Sequence, residues 1–389
     1  MPYPTLSQRF VIPDLPTADE LLPYLRQIDT NRWYSNFGPL VGAFEHDFIT
    51  AMAQAHGGKR GSNTCLTTTS GTHALSIGLR LMGIGPGKRV LVPAVTFPAC
   101  PLAVENLGAE ALLADIDPKA FVLTPEIAFQ IVQKVKIDAV MPVALYGIPL
   151  PAQKWDDFIE KTGIPVIIDA AAAIESQKYP KKALVAHSLH ALKPFGIGEG
   201  GLLVVPDQET KIRARKITNF GMEDRISYQS GENAKMSEYH AAVALVQLQR
   251  WPSIKARRKH VFETYLKALA PLDGQLEAHK KLEETVVSCL MVSIKNNDAQ
   301  TFMQELIAQN VPAHRTYLPP LYRHPHFAKL TVVGAQGQQS KSENIVLKAK
   351  KMDGAEAMNA HVFGLPFHAF LPDEDIAHYV NIVARTLNA

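Results

Sequence analysis

In the stretch Ser188-Leu189-His190-Ala191-Leu192-Lys193-Pro194-Phe195-Gly196-Ile197-Gly198-Glu199-Gly200-Gly201, one lysine precedes a run of glycines. Gly196 to Gly201 satisfies the dinucleotide-binding spacing G-x-G-x-x-G, but that fingerprint has to follow a strand and open a helix. Here it leads into the apolar run Leu202-Leu203-Val204-Val205, a strand, so the context refuses the dinucleotide reading. The glycines read instead as backbone freedom beside a bulky group on Lys193. Upstream, Asp169 closes the apolar strand Val166-Ile167-Ile168. A strand-end aspartate followed by a lysine suits pyridoxal phosphate (PLP). The lysine holds the cofactor as a Schiff base, and the carboxylate keeps the pyridine nitrogen protonated. Each residue alone has an ordinary explanation, a solvated lysine or a turn or N-cap aspartate.

Other segments add to the pair. Thr69-Ser70-Gly71-Thr72-His73 stands before an amphipathic helix expected over Thr72 to Met82. Free backbone N–H groups, hydroxyls and the helix dipole make such a start a phosphate cradle, or a plain helix cap. No Gly-Lys pair follows, which argues against a nucleoside triphosphate loop. Phe97 lies just past the strand ending Val92-Pro93, placed to stack on a planar ring or to sit in the core. Asn233, in the polar turn Gly231 to Ser237, is a helix cap or a donor to a phosphate.

Apolar strands alternate with amphipathic helices from about residue 41 to 250. The strands are expected at 89–92, 111–114, 139–143, 165–168 and 202–205, with helices at 72–82 and 125–135. This pattern predicts an α/β fold with a mostly parallel central sheet covered by helices, with ligands at the strand ends. Residues 1–40 read as an N-terminal arm with an amphipathic stretch near Ala18 to Ile28, and 41–250 as a large domain. Residues 251–389 read as a smaller C-terminal α+β domain, with strands at 288–295 and 311–317 and helices at 299–309 and 373–387; His314, Arg315 and Tyr317 are ligand-facing candidates there by location alone. Gly334 to Lys341 reads as a polar loop, and a helix is expected over Ser237 to Arg250.

A net charge of +3 without a Lys/Arg stripe argues against nucleic acid. Cys65, Cys100 and Cys289 are far apart and read as buried thiols in a reducing compartment, with no metal-ligand spacing. No metal site is expected. His324 and His326 have no third partner and read as surface or structural. No apolar run approaches a membrane span, and Met1-Pro2-Tyr3-Pro4 lacks a signal-peptide pattern, so a cytoplasmic protein is the expectation.

Taken in order, these segments resemble the DegT/StrS-type sugar aminotransferases, a group within the PLP-dependent transferase fold type I (aspartate aminotransferase fold). Trp33 to Leu40, Phe44-Glu45, Leu81 to Gly87, Val92 to Phe97 and Asp115-Ile116-Asp117-Pro118 carry the likeness. So do Pro142 to Gly147, the Lys193 run, Asn233 to Gln249 and Leu365-Pro366-Phe367-His368. The resemblance implies PLP covalently on Lys193, pyridoxamine phosphate (PMP) as the aminated intermediate, and Lys193 as the proton shuttle. It further implies Asp169 on the pyridine nitrogen, Thr72 and His73 at the phosphate with Ser188, and Phe97 on the ring. Asn233 would reach the neighbouring subunit's phosphate in a homodimer with a shared active site. The implied reaction moves an amino group, from glutamate, to a nucleotide-linked keto-deoxysugar.

One departure stands out: the family reads Asp-Ala-Ala-Gln where this chain has Asp169-Ala170-Ala171-Ala172, so the Gln contact to the cofactor's phenolic oxygen is missing. Two alternatives stay open. One is a sugar dehydratase on the same scaffold, opposed by Lys193 where that branch has histidine. The other is a non-catalytic homologue that binds PLP or a sugar nucleotide as a regulator.

Overall fold

Short, almost wholly buried runs, most of them Val, Ile, Leu and Ala, build the central sheet, as expected for strands covered on both faces. The computed structural model describes residues 9–58 and 62–388, so residues 1–8 of the expected arm lie outside the described residues. The sheet comprises β1 (Thr64–Thr68), β2 (Arg89–Pro93), β3 (Glu110–Ala114), β4 (Ala139–Val140), β5 (Ile167–Asp169), β6 (Leu184–Ser188) and β7 (Gly201–Val205). Their order is β3-β2-β4-β5-β6-β7-β1, with single parallel bridges at Val140–Val166 and Val143–Asp169 joining β4 and β5. Of β1–β7, β7 alone runs against the others. The fold is that of the expected mostly parallel α/β class.

Two of these strands, β1 and β6, were not among the strands expected from sequence. Both carry polar residues that are buried because each has a partner. Thr67 in β1 donates from N and Oγ1 to the Glu45 carboxylate at 2.7 and 2.9 Å. In β6, the His187 ring faces the Ala170 carbonyl at 2.9 Å. Satisfied polar groups of this kind hide a strand from a hydrophobicity pattern.

In chain order the helices are α1 (Ala18–Asn31), α2 (Pro39–Ala55), α3 (Gly71–Leu81), α4 (Ala99–Glu105), α5 (Pro125–Val132), α6 (Ala152–Thr162), α7 (Gln208–Ile217) and α8 (Glu238–Leu269). Helix α3 packs on β5, β6 and β7, and α4 on β2 and β3. Helix α8 passes through Pro252 and runs well beyond the Arg250 limit read from sequence. Trp251 and Ile254, either side of the proline, are buried, and tertiary packing of this sort overrides the low helix propensity of Pro252.

A short hairpin, β8 (Met222–Glu223) and β9 (Ile226–Ser227), precedes α8. After α8 come β10 (Leu276–Ala278) and β11 (Leu290–Ile294), then α9 (Ala299–Ala308). Strands β12 (Val332–Val333) and β13 (Gln339–Ser340) form a hairpin whose β12 pairs parallel with β3, at the edge of the central sheet. The polar Gly334 to Lys341 segment is thus a hairpin turn and its second strand. Helices α10 (Ile345–Ala349) and α11 (Asp353–His361) follow, and β14 (Val362–Leu365) completes an antiparallel sheet of order β10-β11-β14. Helix α12 (Asp373–Leu387) packs on α8 and α9. The strand expected over Val311 to Tyr317 is reduced to one bridge, His314–Gly364, and the segment ends at Tyr317 in the left-handed region with φ 67°. Among the described residues, no helix is long and apolar enough to cross a membrane.

Candidate active site

Because six strands point one way, their C-terminal ends gather loops along one edge of the sheet. Asp169 ends β5, Ser188 ends β6, Thr69 and Ser70 follow β1, and Phe97 follows β2. The reversed β7 begins at that same edge, and Gly201 is its first residue. An added Cβ on Gly201 would run into the Ser70 carbonyl, and one on Gly196 into Ala191. These glycines therefore let backbone pack on backbone around the Lys193 loop, which is closed by Ala191 N to Gly198 O at 2.8 Å and Leu189 N to Gly200 O at 2.9 Å. Gly196 and Gly201 supply close approach, while Gly198, at φ 101° with open space around an added Cβ, supplies the backbone freedom expected from sequence.

Lys193 Nζ donates to Tyr317 Oη at 3.4 Å. Burial opposes the charge on this amine, but the neighbouring Tyr317 and Asp169 outweigh it and hold the group above its ordinary range. Asp169 is buried. Its Oδ1 accepts Ala171 N at 2.9 Å, and its Oδ2 accepts the Cys100 thiol at 2.9 Å. Burial first, then the Asp169 charge, push the Cys100 thiol well up. Phe97 is 58% exposed, an uncommon state for a large aromatic, and its ring meets Tyr317 edge-on at 6.0 Å between centroids.

Helix α3 supplies the cradle. Its N-cap Ser70 accepts the His73 amide at 3.2 Å, so His73 N is engaged. The amides of Gly71 and Thr72 have no protein acceptor among the described residues. The His73 ring is held by Thr69 Oγ1 at 2.7 Å and stands 3.9 Å from Glu232. Ser188 lies against this turn: a Cβ on Gly71 would sit 2.9 Å from its own Cβ. Asn233 is exposed, accepting from Lys235 Nζ at 2.7 Å, while the next carbonyl, Ala234 O, takes Thr69 N at 3.0 Å. The structure thus gathers Lys193, Asp169, Ser188, Thr72, His73 and Phe97 at one edge and leaves Asn233 turned to solvent.

The donor set fits PLP. Free amides at a helix start with an adjacent hydroxyl suit a phosphate dianion, a buried carboxylate suits a cationic ring nitrogen, and an exposed aromatic suits a ring face. Sequence reasoning missed Cys100 and Tyr146 and gave Tyr317 only by its location. No local spacing marks Cys100, because it is the second residue of α4 and fully buried, whereas Phe97 lies ahead of that helix and is exposed.

Fold and site together define a PLP-dependent aminotransferase of fold type I. The chain matches the DegT/DnrJ/EryC1/StrS aminotransferase family over residues 17–384 and belongs to it. It is 30% identical over 262 residues to 3-amino-5-hydroxybenzoate synthase of Amycolatopsis mediterranei (strain S699). That match covers 64% of this chain and 65% of the relative, just under two thirds of its length. The structure of DesI in the presence of its TDP-sugar product superposes with a TM-score of 0.80 at 25% identity, covering 100% of this chain and 94% of DesI. A DegT DnrJ EryC1 StrS aminotransferase from Brucella abortus has TM-score 0.79 at 21% identity, covering 94% and 95%, a likeness of fold.

Proposed function

We propose that the chain transfers an amino group, from glutamate, to a nucleotide-linked ketosugar, with Lys193 as the residue that holds PLP and moves the proton. The observation that carries this reading is part-buried Lys193, whose amine lies near enough to feel the charge of buried Asp169, at the C-terminal edge of the sheet. The DesI likeness supports a nucleotide-linked sugar as the acceptor. PLP, when bound, supplies an aldehyde carbon that takes and returns nitrogen and a ring that accepts electron density.

The chain's own residues do the rest. The amides of Gly71 and Thr72, the α3 dipole and Ser188 Oγ bind the phosphate, with His73 bracing the turn. The Asp169 carboxylate, fixed from both oxygens, holds the protonated ring nitrogen. Phe97 covers one ring face and excludes water from it. Lys193 Nζ takes a proton at the substrate carbon and returns it, acting as base and then acid. Asn233, exposed and paired through its side chain with Lys235, reaches the phosphate cradle of a neighbouring subunit in a homodimer.

The test is absorbance of the purified protein with PLP, before and after glutamate, followed by a panel of TDP- and UDP-linked ketosugars. The expected result is a visible band that glutamate bleaches to the near-ultraviolet and a ketosugar restores. A visible band that no amino donor changes would favour the regulatory homologue, and restoration only by a cyclic keto acid would replace the sugar acceptor.

A further inference from the structure

Two tyrosines from distant parts of the chain stack on one another, one of them reaching Lys193, and both are held in the left-handed backbone region. Tyr146 has φ 58° and Tyr317 has φ 67°, conformations that bulky residues adopt at a cost and that concentrate at functional sites. Their rings stack with centroids 5.6 Å apart and planes inclined by 12°. Tyr146 Oη donates to Thr316 O at 2.8 Å, and Ser288 Oγ donates to Tyr146 O at 3.1 Å. The loop after β4, the segment leading into β11 and the Thr316-Tyr317 segment are thereby locked to one another. What the lock positions is Tyr317 Oη, 3.4 Å from Lys193 Nζ, with no other hydrogen bond among the described residues.

We propose that Tyr317 is a positioning residue for the proton transfer, its phenol holding the Lys193 amine in place whether or not that amine carries the proton in transit. The proposal rests on the assignment of Lys193 made above. A phenol both donates and accepts, whereas the lysine amine changes from donor-only to acceptor as it loses its proton. The ammonium donates to Oη, and the neutral amine accepts the Oη proton as a hydrogen bond. Tyr317 keeps its own proton throughout, and the transferred proton resides on Nζ. Without that partner, the four-carbon stem regains rotamer freedom whenever the amine is released, and the reacting geometry loosens. The other ionisable groups that bear on the Lys193 amine include Asp169, Cys289 and Cys100.

Tyr317→Phe removes only Oη and keeps the stacked ring. On cofactor-free protein, acylation of Lys193 by acetic anhydride, read by peptide mass spectrometry across pH, is expected to move to lower pH in the variant. With PLP, the visible band is expected to form with affinity within about twofold of wild type. Its single-turnover conversion by glutamate is expected to slow roughly 100-fold, with a larger isotope effect for α-deuterated donor and little change in donor KM. Unchanged acylation profile, rate and isotope effect in a wild type and variant that both show the band would overturn the role of Tyr317 and leave Lys193 standing. A wild type without any band would overturn Lys193 first, and Tyr317 with it.

Discussion

Cys100 donates its thiol proton to Oδ2 of Asp169 across 2.9 Å, in full burial, from the second residue of α4. Thr96 Oγ1 lies 3.3 Å from the same sulfur. Asp169 thus comes pre-oriented, with Ala171 N on its other oxygen. Removing the thiol with Cys100→Ala should cost about 1 kcal/mol of this orientation, or roughly a fivefold weaker PLP affinity in a fluorescence titration. Cys100→Ser should restore it. Equal affinity in all three proteins would mean that the contact does not serve the cofactor.

Glu238, the first residue of α8, caps another helix. Its two oxygens accept Leu40 N and Val41 N at 2.8 and 2.9 Å, in place of the side-chain cap that Gly38 cannot give α2. The carboxylate is buried, so Glu238→Ala leaves two amides without acceptors. We expect a loss of about 2–3 kcal/mol in urea denaturation, and a smaller loss for Glu238→Gln. An unchanged midpoint would show that water replaces the cap.

Two glycines should respond in opposite senses. Gly201→Ala forces backbone apart at Ser70, where β7, β1 and α3 meet, and should cost more than about 2 kcal/mol and weaken PLP binding. Gly42, exposed inside α2 with nothing within 4 Å of an added Cβ, should gain about 0.5–1 kcal/mol as alanine. Thermal melts of the two variants decide the matter, and shifts of the same sign would contradict it.

Burial in β6 pulls the His187 ring down to about 4, and burial with the nearby Arg258 charge does the same for His368. Their unfolded-state values are near 6.5, so below that pH the unfolded chain binds more protons than the folded one. Stability is therefore whole above pH 6.5 and falls as pH drops toward 4, by about 3 kcal/mol for each histidine. His187→Gln, whose amide can meet Ala170 O, should flatten the slope of denaturant stability against pH in this window. A slope identical to wild type would mean that His187 is not buried neutral.

Where chemistry and periodicity coincide, the sequence was legible. The Lys193 run, Asp169 at the end of β5, and the helix start at Ser70-Gly71-Thr72 all lie where their patterns put them. Strand β1 was not legible, because three threonines in five positions look exposed until Glu45 and the neighbouring strands satisfy them. Tyr317 was legible only as a location. Its left-handed backbone and its stack on Tyr146 depend on segments more than 150 residues apart, and no local pattern encodes that. Cys100 read as a buried thiol, and it is one. Its bond to Asp169 follows from α4 packing beside β2 and β3 at the same sheet edge.

The central claim is that Lys193 holds the cofactor. The direct measurement is borohydride reduction of the PLP-loaded protein followed by digestion and mass spectrometry. The account predicts one phosphopyridoxyl adduct, on the peptide containing Lys193, and none in Lys193→Ala, which should also lose the visible band. An adduct on another lysine, or reduction that leaves the Lys193 peptide unlabelled, would contradict it.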